Sequence, residues 1–368
     1  MIVGVPKEIK NHEYRVGLTP SGVRELCQSG HQVLVQAGSG LGIGIDNKEY
    51  EKAGASIVDS ASTIFNQAEL IIKVKEPQPS ECQQLSQGQL LFTYLHLAAD
   101  AKQASLLVQS GSTAIAYETI TNAQGGLPLL TPMSEVAGRM SIQAGAYHLE
   151  KAQGGNGVLL GGVPGVAPAE VLVLGGGIAG LNAARVALGM GAHVTIMDIN
   201  INRLRQIDET FNGQINTLFS TTDSIERELT SADMVVGAVL IPGACAPKLI
   251  KKSMLSIMKK GAVLVDIAID QGGCFETSRP TTHAQPTFIV DDVIHYCVAN
   301  MPGAVARTST FALTNATLPF VKKLAQSGIN ALKTDPHFLQ GLNVHQGKIT
   351  NQPVANALGY DFYSPESI

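Results

Sequence analysis

The sequence contains no tryptophan, and aromatic residues make up only 5% of its 368 positions. Base-stacking platforms are built from aromatic rings, so none is expected here. Charge is sparse too, at 15% of residues with a net charge of −4. Without a basic footprint, nucleic acid is excluded as a partner. Five cysteines, Cys27, Cys82, Cys245, Cys274 and Cys297, are scattered and never spaced CxxC. A disulfide framework and a zinc site are not expected, and the thiols read as reduced. The histidines show no metal-ligand spacing, and no metal is expected. No long apolar run is unbroken. The most apolar stretch, Val158 to Leu181, is interrupted by glycine, proline and Glu170, which argues against a membrane span. The opening residues MIVGVPKEIK lack the apolar core of a secretory signal, so a cytoplasmic location is the expectation. No internal repeat or low-complexity tract stands out.

What the chain does contain is apolar residues, 45% of the total, in short recurring runs. A chain this long exceeds one compact core, and two domains are expected. Ile2–Val5, Gln32–Gln36, Leu70–Val74, Leu90–Leu95 and Thr113–Tyr117 read as strands, with helices at Pro20–Gln28 and Ala99–Gln109. This alternation predicts a parallel sheet with crossover helices. Thr131 to Ala152 reads as a long helix, with Thr131 as N-cap and a close-packing face of Ala137, Gly138, Ser141, Ala144 and Gly145. Further strands are expected at Met234–Val239, Val263–Ile267 and Thr287–Val290, and a second long helix at Thr310 to Ala325. The tail beyond it reads as a helical turn and polar loops packing back on the first domain. The expected fold class is α/β, two Rossmann-like doubly wound domains. Residues 1–130 with 308–368 form a discontinuous first domain, and 131–307 form the second.

The sharpest motif lies in the second domain. Val171 to Leu174 leads into Gly175-Gly176-Gly177-Ile178-Ala179-Gly180, then a small-residue helix and a second apolar run ending at Asp198. Gly175, Gly177 and Gly180 have the GxGxxG spacing of a dinucleotide turn: a tight bend, room for a pyrophosphate, and close helix–strand contact. The helix beginning there aims its N–H groups at the anion. Asp198 stands about 20 residues on, where a carboxylate holds the adenosine ribose and repels a 2′-phosphate; NAD is favoured over NADP. The glycine spacing alone is common. Strand, glycines, helix, strand and terminal acid in sequence make it specific.

Ligands of doubly wound sheets bind beyond the carboxyl ends of the strands. Four useful side chains follow expected strands: Arg15 in NHEYRVGLTP, Lys75 in KVKEP, His96 in TYLHLA and Asp270 in VDIAIDQGG. A cleft between two α/β domains would gather them. Arg15 suits a carboxylate, Lys75 adds a second positive contact, and His96 and Asp270 suit proton movement. Together they describe oxidation of a carbon bearing an amine or hydroxyl beside a carboxylate. Each also has a plainer reading: solvated charges for Arg15 and Lys75, a partly buried histidine for His96, a turn residue for Asp270. Ser134, Arg203, Asn300 and Met301 are structural residues or cofactor contacts on the same footing.

Several long segments carry a resemblance to the alanine dehydrogenase family, almost end to end. They are GVPKEIKNHEYRVGLTP, KVKEP, TYLHLA, TPMSEVAGRM, GVLLGGVPGVAPAEVLVLGGG, AVLIPGACAPKLI, VDIAIDQGGC and CVANMPGAVARTST. The resemblance implies NAD-dependent, reversible oxidative deamination of L-alanine to pyruvate and ammonium, in a homohexamer. It implies substrate binding at Arg15 and Lys75 and catalysis at His96 and Asp270. It implies cofactor contacts at Ser134, Ile178, Ala179, Asp198, Arg203, Ser220, Val239, Leu240, Ile267, Arg279, Val298 and Met301. Cys245, Asn156, Ala306 and Arg203 depart from the family's usual lysine, basic residue, proline and lysine; Cys245 and Asn156 bear on cofactor affinity or loop order. The nearest alternative is the NAD-binding module of the proton-translocating transhydrogenase, which passes hydride to another nucleotide and takes no small substrate. Its pattern lacks counterparts of Lys75 and His96, and it runs toward membrane segments, whereas this sequence reaches Ile368 without one. Long-chain amino-acid dehydrogenases of the saccharopine type and a non-catalytic NAD sensor are more remote alternatives.

Overall fold

A computed structural model describes residues 1–239 and 246–367. It divides into two compact units, Met1–Met133 with Val305–Ile368, and Ser134–Ala304. In the first, β1 (Ile2–Val5), β2 (Gln32–Gln36), β3 (Ser56–Val58), β4 (Leu70–Ile72), β5 (Leu90–Thr93) and β6 (Thr113–Ala116) run parallel in the order β3-β2-β1-β4-β5-β6. In the second, β7 (Glu170–Leu174), β8 (His193–Asp198), β9 (Asn216–Phe219), β10 (Met234–Gly237), β11 (Val263–Asp266) and β13 (Val293–Tyr296) repeat that order, β9-β8-β7-β10-β11-β13. There β12 (Thr287–Val290) lies antiparallel on the β13 edge. Both sheets have the doubly wound order in which the winding reverses beside the first strand. The chain is an α/β protein of two such sheets.

Strands covered on both faces read as unbroken apolar runs rather than alternations. β7 shows why: Val171 and Val173 join the core on one face of the sheet, Leu172 and Leu174 the core on the other. Close helix packing depends on missing side chains. A Cβ on Gly138 would sit 2.1 Å from the Ala179 carbonyl oxygen, and one on Gly145 would sit 2.6 Å from Met234 Sδ. The small-residue face of the helix Thr131–His148 thus seats it on the second sheet.

Several boundaries differ from expectation. The strands expected to reach Val74, Leu95, Tyr117, Val239 and Ile267 stop at Ile72, Thr93, Ala116, Gly237 and Asp266. In each case the apolar run continues past the ladder, because the first residues of the following turn are themselves buried or partly so. Thr131 does not cap its helix; it lies in the first turn, its hydroxyl donating to the Leu127 carbonyl at 3.0 Å. That helix ends at His148, and Lys151–Gln153 form a separate 3-10 turn. The second long helix starts at Ala306, not Thr310, and runs to Ser327 through Pro319.

The tail is not only turns and loops. β14 (Leu342–His345) pairs antiparallel with β6, and β15 (Lys348–Ile349) pairs with β14. Gln346 and Gly347 both have positive φ, 48° and 79°, the signature of a two-residue hairpin. Alternation in LNVHQGKI, with glycine at the second turn position, was the available signal. Cys27, Cys82, Cys274 and Cys297 are free thiols, and Cys245 lies outside the described residues. Among the described residues no helix is long and apolar enough to cross a membrane.

His295 on β13 is fully buried. Its Nδ1 lies 3.0 Å from the Val293 carbonyl, which can only accept, so Nδ1 carries the hydrogen. Nε2 lies 2.7 Å from Thr277 Oγ1, whose hydroxyl can donate to the neutral ring. Burial holds its pKa below the ordinary 6.5, against the opposing effects of Val293 and Asp291. The unfolded chain therefore takes up a proton before the native one does, and stability falls as pH drops from about 6.5. The unfolding midpoint should decline between neutral pH and the native pKa, and His295→Gln should flatten part of that slope. An unchanged slope would remove His295 from the account.

Candidate active site

In the first unit, winding reverses between β1 and β4, and a doubly wound sheet takes its ligand beyond those ends. Arg15 is in the loop after β1, Lys75 in the loop after β4, and His96 in the turn after the neighbouring β5. Three of the four predicted side chains thus follow adjacent strands of one sheet.

Arg15 is only 3% exposed. Glu13 accepts from its Nε at 2.7 Å and its Nη2 at 2.6 Å, and Nη1 lies 3.1 Å from Met133 Sδ. Burial works against the guanidinium charge, but Glu13 outweighs it and the pKa is raised. A forked pair of this kind fixes the plane of the guanidinium. Sequence reasoning missed Glu13, although it stands two residues away in the same motif.

The Lys75 ammonium lies 3.9 Å from Glu76, which also pairs with Lys10. Burial pushes Glu76 up, yet the two lysines hold its pKa below the usual value. Two residues before Lys75, Lys73 is fully buried, its Nζ 2.9 Å from Glu8 Oε2 and 2.8 Å from Glu81 Oε1. The other Glu8 oxygen accepts from Val74 N at 2.6 Å and Lys75 N at 3.4 Å. One ammonium faces two carboxylates. Burial pushes Glu8 up despite Lys73, while the two acids outweigh burial at Lys73 and keep it charged. The signal was Lys73 itself, a charge inside the apolar run LIIKV, because lysine is almost never fully buried unless paired.

His96 has φ +50°, the left-handed region that a non-glycine residue enters only when held. Glu118 holds it: Oε1 accepts from His96 N at 2.6 Å and from Leu95 N at 3.2 Å. The same oxygen lies 3.9 Å from His96 Nδ1. The ring stacks on Tyr94, centroids 5.8 Å apart and planes 3° apart, and the Tyr94 hydroxyl donates to the Leu129 carbonyl at 2.6 Å. About half of the imidazole is exposed, so it is braced but accessible.

In the second unit the reversal lies between β7 and β10, and the glycine turn follows β7. Gly175 has φ +102°, and a Cβ there would meet the Ala238 carbonyl oxygen at 2.9 Å; Val239 Cγ2 is equally near. A Cβ on Gly180 would lie 1.8 Å from the Gly175 carbonyl oxygen. The protein itself therefore requires both glycines. Gly177 differs: it caps the helix Ile178–Gly189 with φ −67°, and a Cβ there would meet nothing within 4 Å. Open space before a helix N-terminus whose first residues include Ile178 and Ala179 is a cradle for an anion. Asp198, at the end of β8, accepts from Gly176 N at 2.8 Å through one oxygen and from Asn200 N at 2.8 Å through the other. Arg203 Nε donates to the Gly176 carbonyl at 2.5 Å. Ser220 follows β9, its N–H donating to the Asp198 carbonyl at 3.1 Å. These residues fit NAD by donor chemistry and by the space left over Gly177.

The remaining predicted positions in this unit also follow strand ends, with two exceptions. Val239 follows β10, Ile267 and Asp270 follow β11, and Val298 and Met301 follow β13 and belong to the core. Ser134 lies instead in the first turns of the helix Thr131–His148, and Arg279 stacks over the Phe288 ring at 4.4 Å. Leu240 lies outside the described residues. Asp270 is exposed, in a 3-10 segment held by the buried Asp266. Sequence reasoning missed Asp266 too, another acid inside an apolar run, VLVDIAI. Among the described residues no group of His, Cys, Asp and Glu could hold a metal ion.

Two family models span the chain, "Alanine dehydrogenase/PNT, N-terminal domain" over residues 4–137 and "Alanine dehydrogenase/PNT, C-terminal domain" over residues 141–352. The alanine dehydrogenase of Halomonas elongata is 61% identical over all of both chains. The chain belongs to the alanine dehydrogenase family. A solved L-alanine dehydrogenase is 50% identical with a TM-score of 0.95, covering 98% of this chain and 99% of that one. A transhydrogenase structure from Sinorhizobium meliloti is more distant, 25% identical with a TM-score of 0.82 over 96% of this chain and 99% of that one.

Ala306 is the first residue of its helix, where a proline's missing N–H costs nothing and an alanine serves equally. Asn156 donates to Asp233, just before β10, at 2.9 Å. It therefore lies at the amino ends of the strands and bears on loop order, not on cofactor affinity. Arg203 keeps a cationic side chain on the glycine turn. Cys245 lies outside the described residues.

Removing Lys73 would strand two buried carboxylates. Lys73→Met should cost roughly 3–5 kcal/mol in urea unfolding, as for other buried pairs broken on one side. Neutralising Glu8 and Glu81 to glutamine in the same chain should restore most of it. A midpoint unmoved by Lys73→Met would refute the pairing.

Proposed function

We propose that this chain is an NAD-dependent L-alanine dehydrogenase, which oxidatively deaminates L-alanine to pyruvate and ammonium, reversibly. The observation that carries the reading is the set Arg15, Lys75 and His96 on three neighbouring strand ends at the first sheet's reversal point, in a chain of this family. The transhydrogenase alternative is supported only by the more distant likeness.

In this reading the first unit takes the substrate and the second the cofactor. Bound NAD supplies the hydride acceptor for the α-carbon. The glycine turn and the N-terminus of the helix Ile178–Gly189 receive the pyrophosphate, and Asp198 takes the ribose hydroxyls. Ser134, Arg203, Ser220, Val239, Leu240, Ile267, Arg279, Val298 and Met301 complete the cofactor contacts. Arg15, its plane set by Glu13, and Lys75 hold the substrate carboxylate. The amine of alanine gives up a proton, the α-carbon gives up its hydrogen with both electrons, and an iminium forms. Water adds to that carbon, and collapse of the carbinolamine releases ammonia and leaves pyruvate. His96 and Asp270 move the protons of water addition and collapse. Glu118 holds the His96 backbone, and the stack on Tyr94 the ring, in place for that work. We further propose a cytoplasmic homohexamer with no nucleic-acid or membrane partner.

NADH formation with a panel of L-amino acids at alkaline pH, with NADP as control, tests the reading. Activity with alanine and NAD is expected; activity with long-chain amino acids instead, or none, would sink it. His96→Ala should lower turnover by roughly two to four powers of ten. Arg15→Lys cannot reproduce the fork and should raise the KM for pyruvate more than it lowers kcat. Gly177→Ala should weaken NADH binding while leaving the unfolding temperature in place, whereas Gly180→Ala should lower both. If Gly177→Ala binds NADH normally, the cradle is elsewhere.

A further inference from the structure

Asp270 is the exposed residue of its 3-10 turn, and a catalytic carboxylate needs a fixed position. The segment leaves β11 at Asp266, forms a 3-10 turn over Ile267–Gln271, and bends back at Gly272 and Gly273, with φ of +88° and +79°. Both arms end on one buried side chain. Asp266 Oδ1 accepts from Ala268 N at 3.1 Å. Its Oδ2 accepts from Cys274 N at 2.8 Å and from Ser278 Oγ at 2.5 Å. Ala268 and Cys274 flank Asp270, two residues before it and four after. The returning backbone comes down so closely that a Cβ on Gly273 would lie 2.5 Å from Asp266 Oδ2 and 2.9 Å from Ser278 Cβ. From outside, Lys248 Nζ donates to the carbonyls of Gly272 and Gly273.

We propose that Asp266 is a positioning residue for the reaction: its carboxylate closes the loop 267–278 and so sets the place of Asp270. This rests on the reading of Asp270 as catalytic. The chemistry of the clip suits an acid and little else. Three donors converge on two oxygens, and an ionised carboxylate only accepts. An amide would turn an NH2 group toward the Cys274 N–H or the Ala268 N–H, and neither N–H can accept. Burial raises the Asp266 pKa, but the hydrogen bonds from Ser278 and Cys274 oppose that shift. Ser278 carries the restraint one residue further, to the start of Arg279.

A double-mutant cycle on the full-length enzyme separates positioning from bulk stability. Asp270→Asn, Asp266→Asn, Ser278→Ala and the two pairs with Asp270→Asn would be compared for kcat, KM for alanine, NADH affinity and unfolding temperature. A misplaced group can cost about a hundredfold in rate, and Asp266→Asn is expected to lose kcat on that scale. Ser278→Ala removes one donor while leaving the backbone bonds, and should lose about threefold or more in kcat with only a small fall in unfolding temperature. Each defect should vanish when Asp270 is already asparagine, because the clip then has nothing to position. Should Asp266→Asn fail to fold, the Ser278→Ala cycle alone decides. Defects that multiply with Asp270→Asn, or a fall in stability with kcat intact, would overturn the proposal. Full activity in Asp270→Asn would instead remove the catalytic reading beneath it, and the proposal with it.

Discussion

One interaction recurs at the carboxyl ends of both sheets: a carboxylate accepting backbone N–H groups from a loop just beyond a strand. Glu8 takes the N–H groups of Val74 and Lys75, Glu118 those of Leu95 and His96, Asp198 those of Gly176 and Asn200, and Asp266 those of Ala268 and Cys274. Backbone leaving a sheet has donors that no ladder satisfies, and burying them unpaired would cost about as much as a lost hydrogen bond each. A carboxylate answers two or more of them without introducing a donor of its own. Lys75, His96, the glycine turn and Asp270 all depend on this device for their place.

Charge follows from the same arrangement. Arg15 is neutralised by Glu13 inside the protein, so its fork is oriented in advance. Lys73 is held by two acids and is too deeply buried to meet a ligand, while Lys75, two positions on, is partly exposed. Buried ion pairs of this kind are weak contributors to net stability, since desolvation offsets their attraction. Their effect here is geometric: each fixes the backbone or the guanidinium plane at or beside a residue proposed to hold the substrate.

The glycines divide along a related line. At Gly175 and Gly180 the neighbouring carbonyls leave no room for a methyl group, so the fold demands them. At Gly177 nothing in the protein demands glycine, and the φ is ordinary. In the proposed function the demand there comes from the ligand, and the spacing then reads as a binding motif and not only as a turn.

Much of the architecture could be read before any coordinates. Strands covered on both faces, such as β1, β5 and β7, announce themselves as apolar runs, and glycines at fixed offsets mark the nucleotide turn. Arg15, Lys75, His96 and Asp270 stood out as polar residues directly after such runs. What local pattern does not encode is partnership across long separations. The edge strands β3 and β9 are partly exposed and so lack the unbroken apolar run of a covered strand, and the β14–β15 hairpin is marked only by a short alternation around Gly347. Glu8 meets Lys73 across 65 residues, and Glu118 reaches His96 across 22. The sequence by itself determined the two doubly wound sheets, the cofactor class and the residues at the strand ends, because these follow from periodicity and motif spacing. Only the tertiary structure decided which buried acid braces which loop, because a hydrogen bond depends on where two distant segments of chain are brought in space.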